Sequence, residues 1–250
     1  MSSRLSHQLV HTGRVPTLSD TDRQTIAYAL RHPRGRYAAE RAAQLSGVPK
    51  STIYYWRRNG ILISDFPNAD PALWSYRDLV LLRLLAWLRQ GGMQRPLAAE
   101  KTVSIRDQLT AGHEVRRIHA TKTDIVMSGE ADDDFVDDRE NLLPSSDFYD
   151  LLSTFDLYEP IDELRSASRG RVWAPDLVTP SEHSMISPWV LAGDPCVERS
   201  RIPTSAIYAL RTERELPAEA IVELYPGLSV SAVEDVTRLE RRLRGVELAA

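Results

Sequence analysis

The chain has 250 residues, of which 42% are hydrophobic, so it can bury a core and fold as one large domain or two to three small ones. Its single cysteine, Cys196, excludes an internal disulfide, and the absence of a CxxC pair excludes zinc sites of that type. The net charge of −4 excludes a uniformly basic protein, but it conceals an uneven distribution.

Charge is divided between the two parts of the chain. Residues 1–100 hold 14 Lys and Arg against 7 Asp and Glu, a net of +7, whereas the remainder holds 17 against 28, a net of −11. A basic front and an acidic remainder indicate separate partners, although an uneven surface charge without a functional meaning is the alternative.

Neither a secretion signal nor a membrane span is predicted. Residues 1–12 lack the apolar core of a signal peptide, and the most apolar stretch, residues 79–88, is short and interrupted by Arg83. We therefore expect a cytoplasmic protein without membrane contact, in a compartment that keeps the lone thiol reduced.

The N-terminal part is predicted to be helical after a mobile arm at residues 1–18. Ser19 is a suitable N-cap for a first helix, which Pro33 and Gly35 end. Periodicity predicts four further helices, at residues 37–46, 50–59, 76–90 and 96–109. The third of these four has the pattern of an amphipathic helix, with Arg89 facing outward.

Beyond residue 110 the pattern changes to short strands and then returns to helices. Strands are predicted at residues 115–120, 124–127, 171–178 and 186–197. The acidic segment 130–163 is predicted either to hold a short helix near 146–155 or to order only on a partner. The last three helices are predicted at residues 204–214, 217–224 and 229–244, with Pro217 and Ser229 at two of their starts.

One spacing in the sequence is typical of a helix-turn-helix, that of Ala43, Gly47, Ile53 and Trp56. Ala43 provides the small contact between two crossing helices, and Gly47 provides the left-handed turn. Ile53 and Trp56 fall on the inner face of the second helix. A generic helical hairpin is the alternative.

The outer face of the second helix carries side chains suited to DNA. Arginine and lysine bind phosphate or guanine, and hydroxyl groups bind phosphate oxygens. The predicted DNA-binding residues are Arg36, Lys50, Ser51, Tyr54, Tyr55, Arg57 and Arg58.

Residues 37–110, with YAAERAAQLSGVPKSTIYYWRRNGI followed by WSYRDLVLLRLLAWLRQGGM, resemble the MerR-like winged helix-turn-helix. The resemblance implies that the recognition helix reads the major groove and that residues 62–75 form a wing beside the DNA. This wing carries Asp65 and Asp70 and has no Lys or Arg before Arg77. The long dimerisation helix and the effector domain of MerR regulators are not evident, so ligand-sensing activation is not expected.

Residues 186–245 resemble a small domain family of unknown function, family 433, that often occurs as an antitoxin beside a PIN-domain toxin. The matching positions are Gly193, Pro195, Arg201, Ile202, Pro203, Tyr225, Pro226 and Leu228. Arg199 and Ser200 depart from the Gly-Thr that the family usually has there. A second DNA-binding or dimerising helix-turn-helix is the alternative for this module.

Together the two modules resemble the VapB-type antitoxins. The resemblance implies a homodimeric type II antitoxin that neutralises a PIN-domain ribonuclease and represses its own operon by binding operator DNA. The candidate toxin-binding residues are Leu142, Phe148, Leu152, Phe155, Arg238, Arg241, Arg242 and Arg244. The alternative is a MerR-like transcriptional regulator without a toxin partner.

Catalytic patterns are absent from the sequence. The six histidines are scattered without metal-ligand spacing, and the aspartates at 132–138 lack the spacing of an EF-hand. No P-loop, nucleophile elbow or Cys–His signature occurs. We therefore expect no enzymatic activity, no catalytic residues, no metal and no cofactor.

The predicted fold class is mainly α with small β elements (α+β). An N-terminal arm and helix at 1–35 precede the winged helix-turn-helix at 36–110. An acidic, partly β connecting region at 111–185 follows, and the C-terminal β-hairpin plus three-helix antitoxin-associated module occupies 186–250.

Overall fold

Helices dominate the part of the chain that can be described. The computed structural model describes residues 20–113, 117–120, 123–128, 135–137, 142–143, 153–156, 161–166 and 170–245. Eight α-helices lie in these residues, together with short antiparallel strands. The prediction of a mainly α chain with small β elements is therefore confirmed.

The N-terminal part contains five helices and two short strands. The helices are α1 (Asp20–Arg31), α2 (Ala39–Ser46), α3 (Lys50–Arg58), α4 (Tyr76–Gln90) and α5 (Arg95–Ala111), and the strands are β1 (Tyr37–Ala38) and β2 (Leu73–Trp74). The helix predicted at 37–46 thus begins two residues late, because Tyr37 and Ala38 pair with Trp74 and Leu73 instead.

The middle of the chain forms a sheet and a hairpin. Strands β3 (Arg117–Ala120), β4 (Ile125–Ser128), β5 (Phe135–Asp137), β6 (Leu142–Leu143) and β7 (Ser153–Asp156) form an antiparallel sheet of order β6-β5-β4-β3-β7, and β8 (Ile161–Ser166) pairs with β9 (Gly170–Ala174).

The short helix predicted near 146–155 is wrong at its end. Ser153 and Phe155 lie in strand β7, where Phe155 is in register with Ile118 of β3. Threonine and phenylalanine favour strands, and the neighbouring strand supplies hydrogen-bond partners that a local pattern does not reveal. Residues 146–152 lie outside the described residues.

The C-terminal part contains a small strand pair and three helices. These are β10 (Ser184–Met185), β11 (Cys196–Val197), α6 (Thr204–Thr212), α7 (Ala218–Leu224) and α8 (Val230–Leu243). The strand predicted over 186–197 is reduced to Cys196–Val197, because Leu191, Ala192 and Gly193 have positive φ angles of 50°, 55° and 93°. Ser229 caps α8 as predicted, since its side chain accepts a hydrogen bond from the Ala232 amide.

Helix α4 lies at the centre of the N-terminal part. The prediction that it is amphipathic is wrong over residues 76–85. Every residue from 76 to 85 is buried, including Arg77, Asp78 and Arg83. Helices α1, α2 and α5 and strand β8 all contact it. A helix covered on every side needs no polar face, but its charged side chains then need internal partners.

Two apolar cores meet at helix α8. The larger core surrounds α4 and extends into the C-terminal part through Leu177, Ile186, Leu239 and Leu243. The smaller core lies among α6, α7 and α8 and contains Val197, Ile207, Ala218, Ile221, Ala232, Val233 and Val236. Successive turns of α8 therefore contribute to different cores.

Candidate nucleic-acid interface

Helices α2 and α3 are joined by a tight turn at the position where the sequence predicts a helix-turn-helix. Gly47 ends α2 in the left-handed region with φ 71°, and its amide donates to the Ala43 carbonyl at 2.9 Å. Val48, Ile53 and Trp56 are buried in the larger core. The inner face of α3 is thus held, and its outer face is directed to solvent.

The predicted DNA-binding residues of α3 divide into exposed and half-buried side chains. Lys50, Ser51, Tyr55 and Arg58 are exposed. Lys50 pairs with Glu40 across the turn, with Nζ to Oε2 at 3.0 Å, and this hydrogen bond raises the pKa of the lysine. Within the described part of the chain, the Arg58 guanidinium has no hydrogen-bond or ion-pair partner.

The half-buried residues Tyr54 and Arg57 hold the segment that follows α3. Arg57 Nη2 donates to the carbonyls of Pro67 and Ala69 at 2.8 and 3.3 Å. The ring of Tyr54 meets the Trp74 ring edge-on, with centroids 5.8 Å apart. Arg57 therefore has a structural role that its position next to Arg58 in the sequence does not reveal.

Two arginines outside α3 lie near aromatic rings, one on α3 and one in the segment that follows it. Arg95, in the first turn of α5, donates from Nη1 to the Tyr55 hydroxyl at 2.9 Å and lies 5.5 Å from the centre of that ring. Arg36 is exposed and lies 5.7 Å from the centre of the Phe66 ring. Sequence reasoning identified Arg36 but missed Arg95, because no spacing within α3 points to the start of another helix.

The acidic residue Asp65 in the segment 62–75 is neutralised internally. Its Oδ1 lies 2.6 Å from Nη2 of Arg77, and both side chains are almost fully buried. Asp78 lies beside it, and burial together with the Asp65 charge raises the pKa of Asp78 to about 6, although Arg106 opposes this shift. The charge of Asp65 is therefore already paired inside the protein and does not face a ligand.

A cleft of about 410 Å³ separates α3 from the following segment. It is lined by Tyr54, Arg57, Arg58, Ile63 and Pro67. The Ile63 side chain in this lining is aliphatic and 55% exposed. The cleft thus combines two cations, a tyrosine and an apolar group.

A buried ion-pair cluster joins α2 to the C-terminal part. Arg41 donates to both carboxylate oxygens of Glu240, at 2.7 and 3.2 Å, and to Asp194 at 2.6 Å. Thr204 Oγ1 donates to the same Glu240 carboxylate at 2.5 Å. Burial would raise the pKa of Glu240, but the hydrogen bond and charge of Arg41 outweigh it and lower the pKa.

A second connection to the C-terminal part passes through Tyr37. Its buried hydroxyl donates to the Gly193 carbonyl at 2.9 Å. Gly193 has a positive φ, and a Cβ there would lie 2.1 Å from the Tyr37 hydroxyl oxygen. Only glycine fits both the backbone conformation and the close approach.

Arg83 forms a third connection from the centre of α4. Its guanidinium is fully buried and donates to the Leu45 carbonyl at the end of α2 and to the Pro175 carbonyl after β9. Burial lowers the pKa of Arg83 to about 10, which leaves it charged at neutral pH. The negative end of helix α2 favours a cation at this position.

The candidate toxin-binding residues do not form one cluster. Leu142 lies in β6 and Phe155 in β7, the two opposite edges of the five-stranded sheet. Phe148 and Leu152 lie outside the described residues.

The four arginines of the toxin-binding prediction share the end of α8. Arg238 and Arg241 are exposed, with no ion-pair partner among the described residues. Arg242 lies 4.0 Å from the centre of the Trp173 ring, and Arg244 lies 4.5 Å from that of Tyr208. Two of the four are therefore available to a partner, and two are stacked on aromatic rings.

The described residues form a mainly α fold, with the pair of helices α2 and α3 in the N-terminal part and a three-helix module in the C-terminal part. Residues 185–238 of that module match the model of a family described as a protein of unknown function (DUF433). The resemblance of the C-terminal module to this family is thereby confirmed. No curated protein and no solved structure matches the chain.

Two further properties concern the described residues only. No helix among them is long and apolar enough to cross a membrane. No group of three or more His, Cys, Asp or Glu side chains in the described ranges is arranged to hold a metal ion.

Proposed function

We propose that this chain is a DNA-binding regulatory protein that places α3 in the major groove of its operator. The observation that carries the proposal is the two-sided construction of α3. Ile53 and Trp56 fasten its inner face to the core, whereas Lys50, Ser51 and Arg58 project from its outer face. A recognition helix needs this combination of a fixed orientation and exposed polar side chains.

The side chains on this surface divide between phosphate contact and base contact. Arg95, which contacts Tyr55 of α3, and the exposed Arg36 are the candidates for phosphate contact. Arg58 is the candidate for guanine, because its guanidinium is exposed and an arginine fork matches guanine O6 and N7. The internal pairing of Asp65 supports the proposal, since it leaves Asp70 as the one exposed aspartate of the segment 62–75 that would repel DNA.

We expect Arg58→Ala to weaken specific DNA binding by roughly 10- to 100-fold, because one bidentate base contact is lost. The full chain is used to select a duplex from a randomised library, and affinities for that duplex are measured by fluorescence anisotropy at fixed salt. Arg214→Ala, an exposed arginine in the C-terminal part, is the control and should bind like the unchanged chain. Equal affinities for both variants would remove Arg58 from the recognition surface.

In its finer form, the proposal is that the protein is the antitoxin of a type II system and represses its operon as a homodimer. Support comes from the family that matches residues 185–238, taken with the resemblance of that module to antitoxins encoded beside PIN-domain toxins. The exposed Arg238 and Arg241 on α8 suit a partner whose active site gathers carboxylates around Mg²⁺.

The antitoxin proposal is tested by co-expression with the product of the adjacent gene. We expect a stable complex and restored growth, and we expect Arg238→Ala with Arg241→Ala to weaken both. Arg58→Ala is the matched control, since it should impair operator binding and leave neutralisation unchanged. Failure to form a complex at micromolar concentration would leave a MerR-type regulator without a toxin partner.

A further inference from the structure

The cleft between α3 and the segment 62–75 carries an apolar group where DNA would lie. Ile63 is 55% exposed and lines the same cleft as Tyr54 and Arg58. A single exposed aliphatic side chain is ordinary on a protein surface, but this one lies beside the outer face of the helix-turn-helix. A ligand that fills this cleft would meet two arginine side chains and an exposed aliphatic group together.

The walls of this cleft are fixed by contacts within the protein. Arg57 is held by the carbonyls of Pro67 and Ala69, and Tyr54 is held against Trp74. Both contacts connect α3 to the segment that carries Ile63. The position of Ile63 relative to α3 is therefore established before any ligand binds, which lowers the entropy cost of binding.

Among the groups on the major-groove edges of DNA, the thymine 5-methyl is the apolar one. The DNA phosphates supply negative charge that favours the approach of DNA to a cleft lined by two arginines, Arg57 and Arg58. We propose that Ile63 packs on a thymine 5-methyl group at the edge of the site read by α3 and so determines part of the sequence preference. This inference rests on the proposed DNA-binding function and assigns base recognition to a residue outside the recognition helix.

The test replaces thymine by deoxyuridine, which removes the 5-methyl group and leaves the base-pairing edge unchanged. The duplex is the one selected with the full chain, with each thymine substituted singly. We expect the unchanged protein to lose about fourfold in affinity at one position, the effect of one buried methyl group. The Ile63→Ala variant should have the same affinity for the duplex with thymine at that position as for the duplex with deoxyuridine there.

Val103→Ala is the matched control, because Val103 is also a branched aliphatic residue and is 47% exposed on α5. It should retain the preference for thymine. The inference would be overturned if the Ile63→Ala variant and the unchanged protein discriminated equally between thymine and deoxyuridine. It would also be overturned if no single replacement of a thymine lowered the affinity of the unchanged protein. Failure of the unchanged protein to bind any selected duplex would instead overturn the proposed function itself.

Discussion

Arg41→Ala is expected to lower the free energy of unfolding by about 3–5 kcal/mol, the cost of removing one partner of a buried ion pair. The Glu240 side chain has 0% exposure and receives two hydrogen bonds from Arg41. Without them only Thr204 and the partly exposed Arg244 remain near its charge. Urea unfolding followed by circular dichroism measures the change.

Glu40→Ala is the control for this prediction, because Glu40 precedes Arg41 on the same helix and forms an exposed pair with Lys50. Exposed pairs contribute about 0–1 kcal/mol, so the control should unfold almost like the unchanged chain. The double variant Arg41→Met with Glu240→Leu should recover part of the loss, since no unpaired glutamate remains. Similar losses for Arg41→Ala and Glu40→Ala would contradict a buried, energetically important pair.

Arg83→Leu is expected to cost about 2–5 kcal/mol, although leucine is the more hydrophobic residue. The substitution leaves the buried carbonyls of Leu45 and Pro175 without their donor, and each lost partner costs about 1–3 kcal/mol. Arg83→Lys should retain little more stability than Arg83→Leu, because an ammonium group does not reproduce the planar fork of a guanidinium. The same unfolding measurement applies.

Arg89→Ala is the comparison for Arg83, since Arg89 lies on the same helix, is exposed and donates only to the nearby Met93 carbonyl among the described residues. Exposed substitutions usually change stability by about 0.5 kcal/mol or less. An Arg83→Leu variant as stable as Arg89→Ala would show that the Leu45 and Pro175 carbonyls find other donors.

Local patterns were sufficient to predict most of the helices. Gly47 ends α2 and Ser229 caps α8 as their residue types indicated, because turns and caps depend on neighbouring residues. The two-residue strand at Tyr37 could not be predicted, since its partner Trp74 is distant in the sequence. The exposed face predicted for helix α4 is found only at its end, where Arg89 is exposed, because Arg77, Asp78 and Arg83 have partners in other elements.

The candidate site was predictable only in outline. Helical periodicity separates the inner face of α3, with Ile53 and Trp56, from its outer face. It does not distinguish Arg57 from Arg58, because that difference depends on the carbonyls of Pro67 and Ala69. The contribution of Arg95 likewise arises from tertiary packing.

The ion pair between Arg41 and Glu240 has a consequence for the order of folding during protein synthesis. The two residues are separated by 199 positions, so a ribosome adding about 5–20 residues per second needs roughly 10–40 s to pass from one to the other. During that interval α2 and α3 have been synthesised, but Arg41 lacks its glutamate. The larger core includes Leu239 and Leu243 of α8, so it is complete only after α8 has been made.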